Sequence, residues 1–237
     1  MTPSYKRVLL KLSGEALAGK QGFGIDPAIT SQIAGEIAVL HAAGVQFGIV
    51  IGGGNMLRGA TCEGVSRVAG DAMGMLATVI NSIAVKESLE AAGVPARVMT
   101  AVHMDRAGEF YSPEAALEHM NAGRVVVIGG GTGNPFFTTD TAAALRCAEI
   151  GADVLLKATK VDGIYDSDPV KNPSAKRFDS IGHAEALARN LKVMDATAFS
   201  FCMENSIKII IFKLLEPGNL QKCIEGLPVG STIKTGG

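Results

Sequence analysis

Six short apolar runs, at residues 7–12, 46–51, 96–99, 124–128, 154–156 and 208–212, recur along the chain with helix-length stretches between them. Short runs this rich in Val, Ile and Leu suit strands covered on both faces, and parallel neighbours need a crossover of a dozen or more residues between them. The alternation predicts an α/β fold, a three-layer sandwich with a mainly parallel central sheet. Helix ends are marked by glycine or by glycine then proline: 27–43 before Gly44, 71–92 before Gly93 and Pro95, 113–122 before Gly123, and 139–150 before Gly151. Residues 161–177, with Pro169, Pro173, Gly163 and Asn172, read as a surface hairpin and loop. No repeat or low-complexity linker divides the chain. It is expected to form a single domain, 1–237, with approximate lobes at 1–123 and 124–237.

Composition narrows the partners. Lys and Arg total 22 against 23 Asp and Glu, and the basic residues are scattered, so a nucleic-acid binder with a basic stripe is not expected. Apolar residues reach 47% with charged residues at 19% and 29 glycines, which excludes disorder and coiled coil. Cys62, Cys147, Cys202 and Cys223 have no CxxC spacing, and the four histidines form no HxxxH pair, so neither a disulfide framework nor a zinc cluster is expected. Residues 37–57 lack Asp, Glu, Lys and Arg, but their glycines and Asn55 read as helix end, strand and loop rather than a membrane span. With no signal-peptide pattern at the start, the expected compartment is the cytoplasm.

Three glycine-rich segments each follow a strand: LLKLSGE at 9–15, IVIGGGN at 49–55 and VIGGGTGNPFFTTD at 127–140. Ligands of open α/β sheets bind beyond the carboxyl ends of strands, and glycine there lets backbone N–H groups approach phosphate oxygens. GEALAGK at 14–20 nearly spells a P-loop, but Gln21 stands where a hydroxyl should reach magnesium and QGFGIDP cannot begin a helix. Leu57 and Asn134 break the dinucleotide fingerprint, and no GxSxG elbow is present. What remains is phosphate chemistry without a P-loop. Lys11, beside Ser13 and Gly14, and Arg58, past the second glycine turn, supply the positive charge that phosphoryl transfer needs.

KLSGE at 11–15, IGGGNMLRG at 51–59, GDAMGM at 70–75, GTGNPFFTTD at 131–140, KATKVDGIYDSDP at 157–169 and KVMDATAF at 192–199 resemble the bacterial uridylate kinases of the amino acid kinase family, over essentially the whole chain. The resemblance implies transfer of the γ-phosphoryl group of ATP to UMP. It places Lys11, Leu12, Ser13, Gly14, Gly54, Arg58, Thr159, Tyr165 and Asp168 on ATP. It places Gly53, Asp71, Thr132, Gly133, Asn134, Pro135, Phe136, Phe137, Thr138 and Thr139 on UMP, with the two phenylalanines as packing residues whose backbone shapes the pocket and the two threonines as polar contacts.

Lys11, Arg58, Asp140 and Asp195 are then catalytic, the two carboxylates orienting the active-site cations, while Mg2+ comes with ATP and no protein metal cage is expected. Asp71 opens a predicted helix, so its carboxylate either caps free N–H groups or accepts a ribose hydroxyl, and the resemblance favours the latter. Gly19, Lys20, Gln21, Gly22, Phe23 and Gly24 are either a surface turn or a GTP effector region. A homohexamer with GTP as activator and UTP as inhibitor is implied as well. The rivals are a glutamate- or acetylglutamate-type kinase of the same family and a catalytically silent nucleotide-binding protein.

Overall fold

The computed structural model describes residues 2–57, 64–167, 171–172, 174–189, 191 and 194–234. In chain order the elements are β1 (Arg7–Leu12), α1 (Gly14–Leu17), a 3-10 turn (Gly19–Gln21), α2 (Pro27–Ala42), β2 (Gln46–Ile51), α3 (Arg67–Ala91), β3 (Ala96–Thr100), β4 (Glu109–Phe110), α4 (Pro113–Asn121) and β5 (Val125–Gly129). They continue with α5 (Thr139–Glu149), β6 (Val154–Thr159), β7 (Ile164–Tyr165), β8 (Arg177–Phe178), β9 (Ser180–Gly182), α6 (His183–Ala188), α7 (Ala196–Glu204), β10 (Ile209–Lys213), α8 (Asn219–Glu225) and β11 (Ser231–Lys234).

One sheet runs through the molecule in the order β4-β3-β5-β2-β1-β6-β10-β11-β9. Every pairing in it is parallel except β10 with β11, so the expected mainly parallel sheet is present. Period-2 alternation sorts its residues between two cores. Val8, Leu10 and Leu12 of β1, Phe47, Ile49 and Ile51 of β2, and Val154 and Leu156 of β6 pack with Ile33 and Ile37 of α2, Val85 and Leu89 of α3 and Ile224 of α8. Leu9, Val50, Val126 and Leu155 point the other way, onto Ala116 and Met120 of α4, Ala142–Ala144 of α5 and Phe199 and Cys202 of α7. A fully buried aliphatic side chain contributes about 1.5–3 kcal/mol, so two such layers hold the sheet without a disulfide.

The excursion at 161–177 is the small antiparallel hairpin of β7 with β8. α3 differs from expectation, since it starts at Arg67 rather than Asp71, with Ser66 as cap accepting from Ala69 N. Asp71 is therefore a residue of the second turn, and its carboxylate does not cap the helix. Its most apolar 18-residue stretch has a hydropathy of 1.5, long and apolar enough by composition to cross a membrane.

Candidate active site

β1 and β6 lie side by side with Lys11 directly paired with Lys157, both on the face covered by α5. Asp140, in the first turn of α5, sits between them: Oδ1 is 2.7 Å from Lys11 Nζ and Oδ2 is 2.5 Å from Lys157 Nζ. The three side chains are only 11–14% exposed. Burial alone would raise the Asp140 carboxyl, but the two ammonium groups outweigh it and hold it below the usual range. Burial and the neighbouring Lys11 push Lys157 below the ordinary lysine value, against the pull of Asp140. The cluster of two cations and one anion carries net positive charge at the carboxyl ends of adjacent strands, where a polyanion would bind.

Asp195 anchors the helices behind the cluster. It caps α7 by accepting from Ala198 N at 3.0 Å, and it accepts from the hydroxyls of Thr138 at 2.5 Å and Thr141 at 3.1 Å on α5. Thr138 in turn caps α5 through Asp140 N and Thr141 N. The bonds from Asp195 thus fix the start of α5, and with it Asp140.

The glycine turns close in from the β2 side. A Cβ on Gly14 would drive into the Gly52 carbonyl oxygen and come within 2.7 Å of Asn55 Oδ1, so only glycine lets the two turns meet. Asn81 of α3 holds that junction from below, donating to Gly52 O at 2.8 Å and exchanging amide bonds with the fully buried Asn55 at 2.7 and 2.9 Å. Asn55 also binds the backbone of Gly24 in both directions.

Beside the cluster is a cavity of about 430 Å³ lined by Gly53, Gly54, Leu57, Gly70, Asp71, Gly74, Met75, Thr78, Gly131, Thr132, Asn134, Phe137, Thr138 and Thr139. Its size suits a small ligand. Gly70, Gly74 and Thr78 fall on one face of α3 at i, i+4, and two missing side chains there open the space. The N-terminus of α5 reaches the cavity through Thr138 and Thr139, bringing the partial positive charge of a helix start. On the opposite wall the Asp71 carboxylate accepts from Phe136 N at 2.7 Å and from Arg67 Nε at 2.9 and 3.0 Å, and these donors hold it below the usual range.

Of the residues expected on UMP, Gly53, Asp71, Thr132, Asn134, Phe137, Thr138 and Thr139 line this cavity, while Gly133, Pro135 and Phe136 do not. Phe136 and Phe137 are 64% and 49% exposed, so their rings are not packed as expected, while the backbone N–H of Phe136 does hold the Asp71 wall of the cavity. Of those expected on ATP, Lys11, Leu12, Ser13 and Gly14 form the β1 end, and Gly54 faces the cavity. Thr159 ends β6 with its hydroxyl on Val161 O, and the Tyr165 hydroxyl donates to Asp162 at 2.7 Å in the hairpin. Arg58 and Asp168 lie outside the described residues. Lys157 was not singled out from the sequence; its register with Lys11, one strand away, is what places it here.

An open α/β sheet with paired lysines and glycine turns at its strand ends, in place of a P-loop, defines a class of phosphoryl-transferring proteins. Residues 6–213 match the amino acid kinase family, and the chain belongs to that family. Solved structures similar to it include the UMP kinase from Bacillus anthracis, 36% identical with a TM-score of 0.95 over 98% of this chain and 97% of that one. The UMP kinase from Ureaplasma parvum is 34% identical, with a TM-score of 0.92 over 97% and 99% of the two chains. The uridylate kinase from Archaeoglobus fulgidus is 28% identical, with a TM-score of 0.74 over 95% and 99%.

Proposed function

We propose that this protein transfers the γ-phosphoryl group of ATP to UMP, giving ADP and UDP, as a step in pyrimidine nucleotide synthesis. The observation that carries the reading is the Lys11–Asp140–Lys157 cluster set against a cavity walled by the GTGNPFFTTD segment on one side and by α3 and the second glycine turn on the other, in a chain that resembles UMP kinases over nearly its whole length. A UMP phosphate oxygen forms the new bond to the γ-phosphorus while the bond to the β–γ bridging oxygen breaks and ADP leaves. The acceptor phosphate is already ionised at pH 7, so no general base is required. Lys11 and Lys157 neutralise charge on the oxygens of the transferring group, and Asp140 keeps both ammonium groups aimed. Arg58 and the glycine turns complete the donor side.

Mg2+ bound to the ATP phosphates would add charge neutralisation. The donor set fits a phosphate-borne ion: Asp140 is occupied by two lysines and Asp195 by two hydroxyls and an N–H, and among the described residues no cluster of three or more His, Cys, Asp or Glu could hold a metal. An ADP-release assay with UMP, CMP, dTMP, glutamate and acetylglutamate tests the function. UMP should be consumed far faster than CMP or dTMP. Robust turnover of glutamate or acetylglutamate would establish the amino acid kinase alternative, and no turnover with any acceptor the silent binding protein.

The working form is a homohexamer in the cytoplasm, activated by GTP and inhibited by UTP. Support for assembly comes from α3: Val79 and Leu89 are buried, but Met73, Leu76, Ile80 and Ile83 form an exposed apolar stripe at 3-4-3 spacing. Its other face carries Thr78, Asn81 and Ser82 in buried hydrogen bonds, which suits a second copy of the chain better than a lipid bilayer. Support for effector coupling comes from the 19–24 segment, which is stitched through Gly24 and Asn55 to the glycine turn beside Lys11.

A further inference from the structure

Helix α3 begins with an arginine and has no acidic residue in its first turn. The first turn carries partial positive charge from unpaired N–H groups, so a cation there is electrostatically misplaced. A residue that breaks a local rule in this way points to another task.

Arg67 faces two groups. Its Nε lies 3.0 and 2.9 Å from the two oxygens of Asp71, one turn on. Its guanidinium carbon is 5.8 Å from the centroid of the Phe136 ring. Phe136 has φ of 72°, in the left-handed region that a bulky side chain avoids, and strain of this kind persists only where surrounding contacts enforce it. The enforcing contact is the 2.7 Å hydrogen bond from Phe136 N to Asp71 Oδ2. One exposed side chain therefore binds the carboxylate on the α3 wall of the cavity and lies over the ring of Phe136, the residue whose backbone in the 131–138 loop holds that same carboxylate.

We propose that Arg67 is a positioning residue for the acceptor nucleotide: it fixes the Asp71 carboxylate and the left-handed turn at Phe136 relative to each other, so that the ribose of UMP meets a preset hydrogen-bond acceptor. The inference rests on the reading of this cavity as the UMP site. A carboxylate accepts at about four lone-pair positions. Arg67 and Phe136 occupy three, which leaves room for a hydroxyl donor without release of either partner. Without Arg67 the carboxylate gains rotamer freedom that UMP must then remove, which weakens binding but leaves the lysine cluster and the saturated rate alone.

Steady-state ADP release with varied UMP, for the wild type, Arg67→Gln and Arg67→Lys, tests this. Arg67→Gln should raise the KM for UMP about three- to tenfold, with kcat and the KM for ATP within about twofold of wild type. Arg67→Lys, which keeps the charge but not the fork, should fall between. The preference for UMP over dUMP should narrow in Arg67→Gln, which a merely structural role would not do. Melting should shift little, because an exposed i,i+4 pair adds little stability. Unchanged KM and unchanged UMP/dUMP preference in both variants, with normal wild-type turnover, would overturn the inference alone, as would a loss confined to kcat. If Arg67→Gln does not fold, Arg67→Lys and its UMP/dUMP preference decide. A wild type that does not consume UMP would overturn the substrate reading, and this inference with it.

Discussion

Asp140→Asn removes the carboxylate that separates two buried ammonium groups while keeping the size of the side chain. In the wild type Asp140 meets Lys11 at 2.7 Å and Lys157 at 2.5 Å. Removing one partner of a buried ion pair costs about 3–5 kcal/mol. Residual exposure and the field of Asp195 on Lys157 argue for the lower end, about 3 kcal/mol. At about 2–4 °C per kcal/mol for a chain of this size, the melting temperature at pH 7 should fall by roughly 6–12 °C. The pH dependence gives a second, signed test. Lys157 is held below its ordinary value, so between its depressed value in the folded state and about 10.5 the unfolded chain binds more protons and stability rises with pH. Losing Asp140 pushes Lys157 further down and widens this window, so the deficit of the variant should shrink between pH 7 and 10. ATP should restore more melting temperature to the variant than to the wild type, because its phosphates replace the missing anion. Thermal melting by circular dichroism across pH, with and without ATP, reads all three. A variant that melts within about 2 °C of wild type at pH 7, or a deficit that grows with pH, refutes the account of the cluster.

Lys11→Ala should cut kcat at least a hundredfold (~10², roughly the loss of one transition-state donor) with folded protein retained, whereas Asp71→Asn should act mainly on the KM for UMP; steady-state kinetics separate the two, and an unchanged kcat for Lys11→Ala removes it from the chemistry. His183 is 2% exposed with neither ring nitrogen in an aligned hydrogen bond, and burial holds its pKa below 6.5 despite nearby backbone groups at Lys234 and Ile207. The folded state thus resists protonation, and stability should drop as pH falls below about 6.5; His183→Leu should flatten that limb of the melting profile. Leu76→Glu, in the middle of the exposed α3 stripe, should shift light scattering from the proposed six chain masses toward smaller species, and an unaltered mass would place the interface elsewhere.

The sequence announced its central strands because they are buried on both faces. The runs at 7–12 and 46–51 coincide with β1 and β2, since each is mostly apolar and ends at a glycine turn, with Lys11 the one charge inside either strand after its first residue. In β6 the apolar run ends at Leu156, but the strand continues to Thr159, and Lys157 is tolerated in it because Asp140 meets it from α5. A lysine inside a strand reads as solvent-facing until the helix that covers it is in place, and Lys157, unlike Lys11, has no glycine turn directly after its strand to mark it. The start of α3 was misplaced for a related reason. Gly64–Gly70 has little apolar periodicity, so the cap at Ser66 carried no signal beyond its own identity. β9, at the sheet edge, and β11, between β9 and β10, are short strands whose pairing depends on partners distant in the chain. The cavity was legible in outline because GTGNPFFTTD is contiguous, but the contribution of Gly70, Gly74 and Thr78 appears only when α3 is wound and its i, i+4 face turned to the loop.

The pairing of Lys11 with Lys157 across β1 and β6 makes the sheet a ruler. Neighbouring strands are held about 4.8 Å apart by their hydrogen-bond ladder. The roots of the two ammonium groups therefore have a spacing set by backbone rather than by flexible side chains. Like charges directly opposite one another ordinarily weaken a sheet. Here that repulsion is confined to the strand ends, while the ladder behind them is locked by Leu9, Leu10, Leu155 and Leu156 at 0% exposure. The cavity beside the pair can be reshaped by changes at 131–137 or on the outer turns of α3 without altering the spacing of those roots, so long as Thr138 keeps its cap on α5 and its bond to Asp195. With the cavity as the proposed acceptor site and the lysine pair as the proposed charge neutraliser, acceptor choice and charge neutralisation are largely separate in this fold, and a change of substrate need not disturb the spacing of the cations.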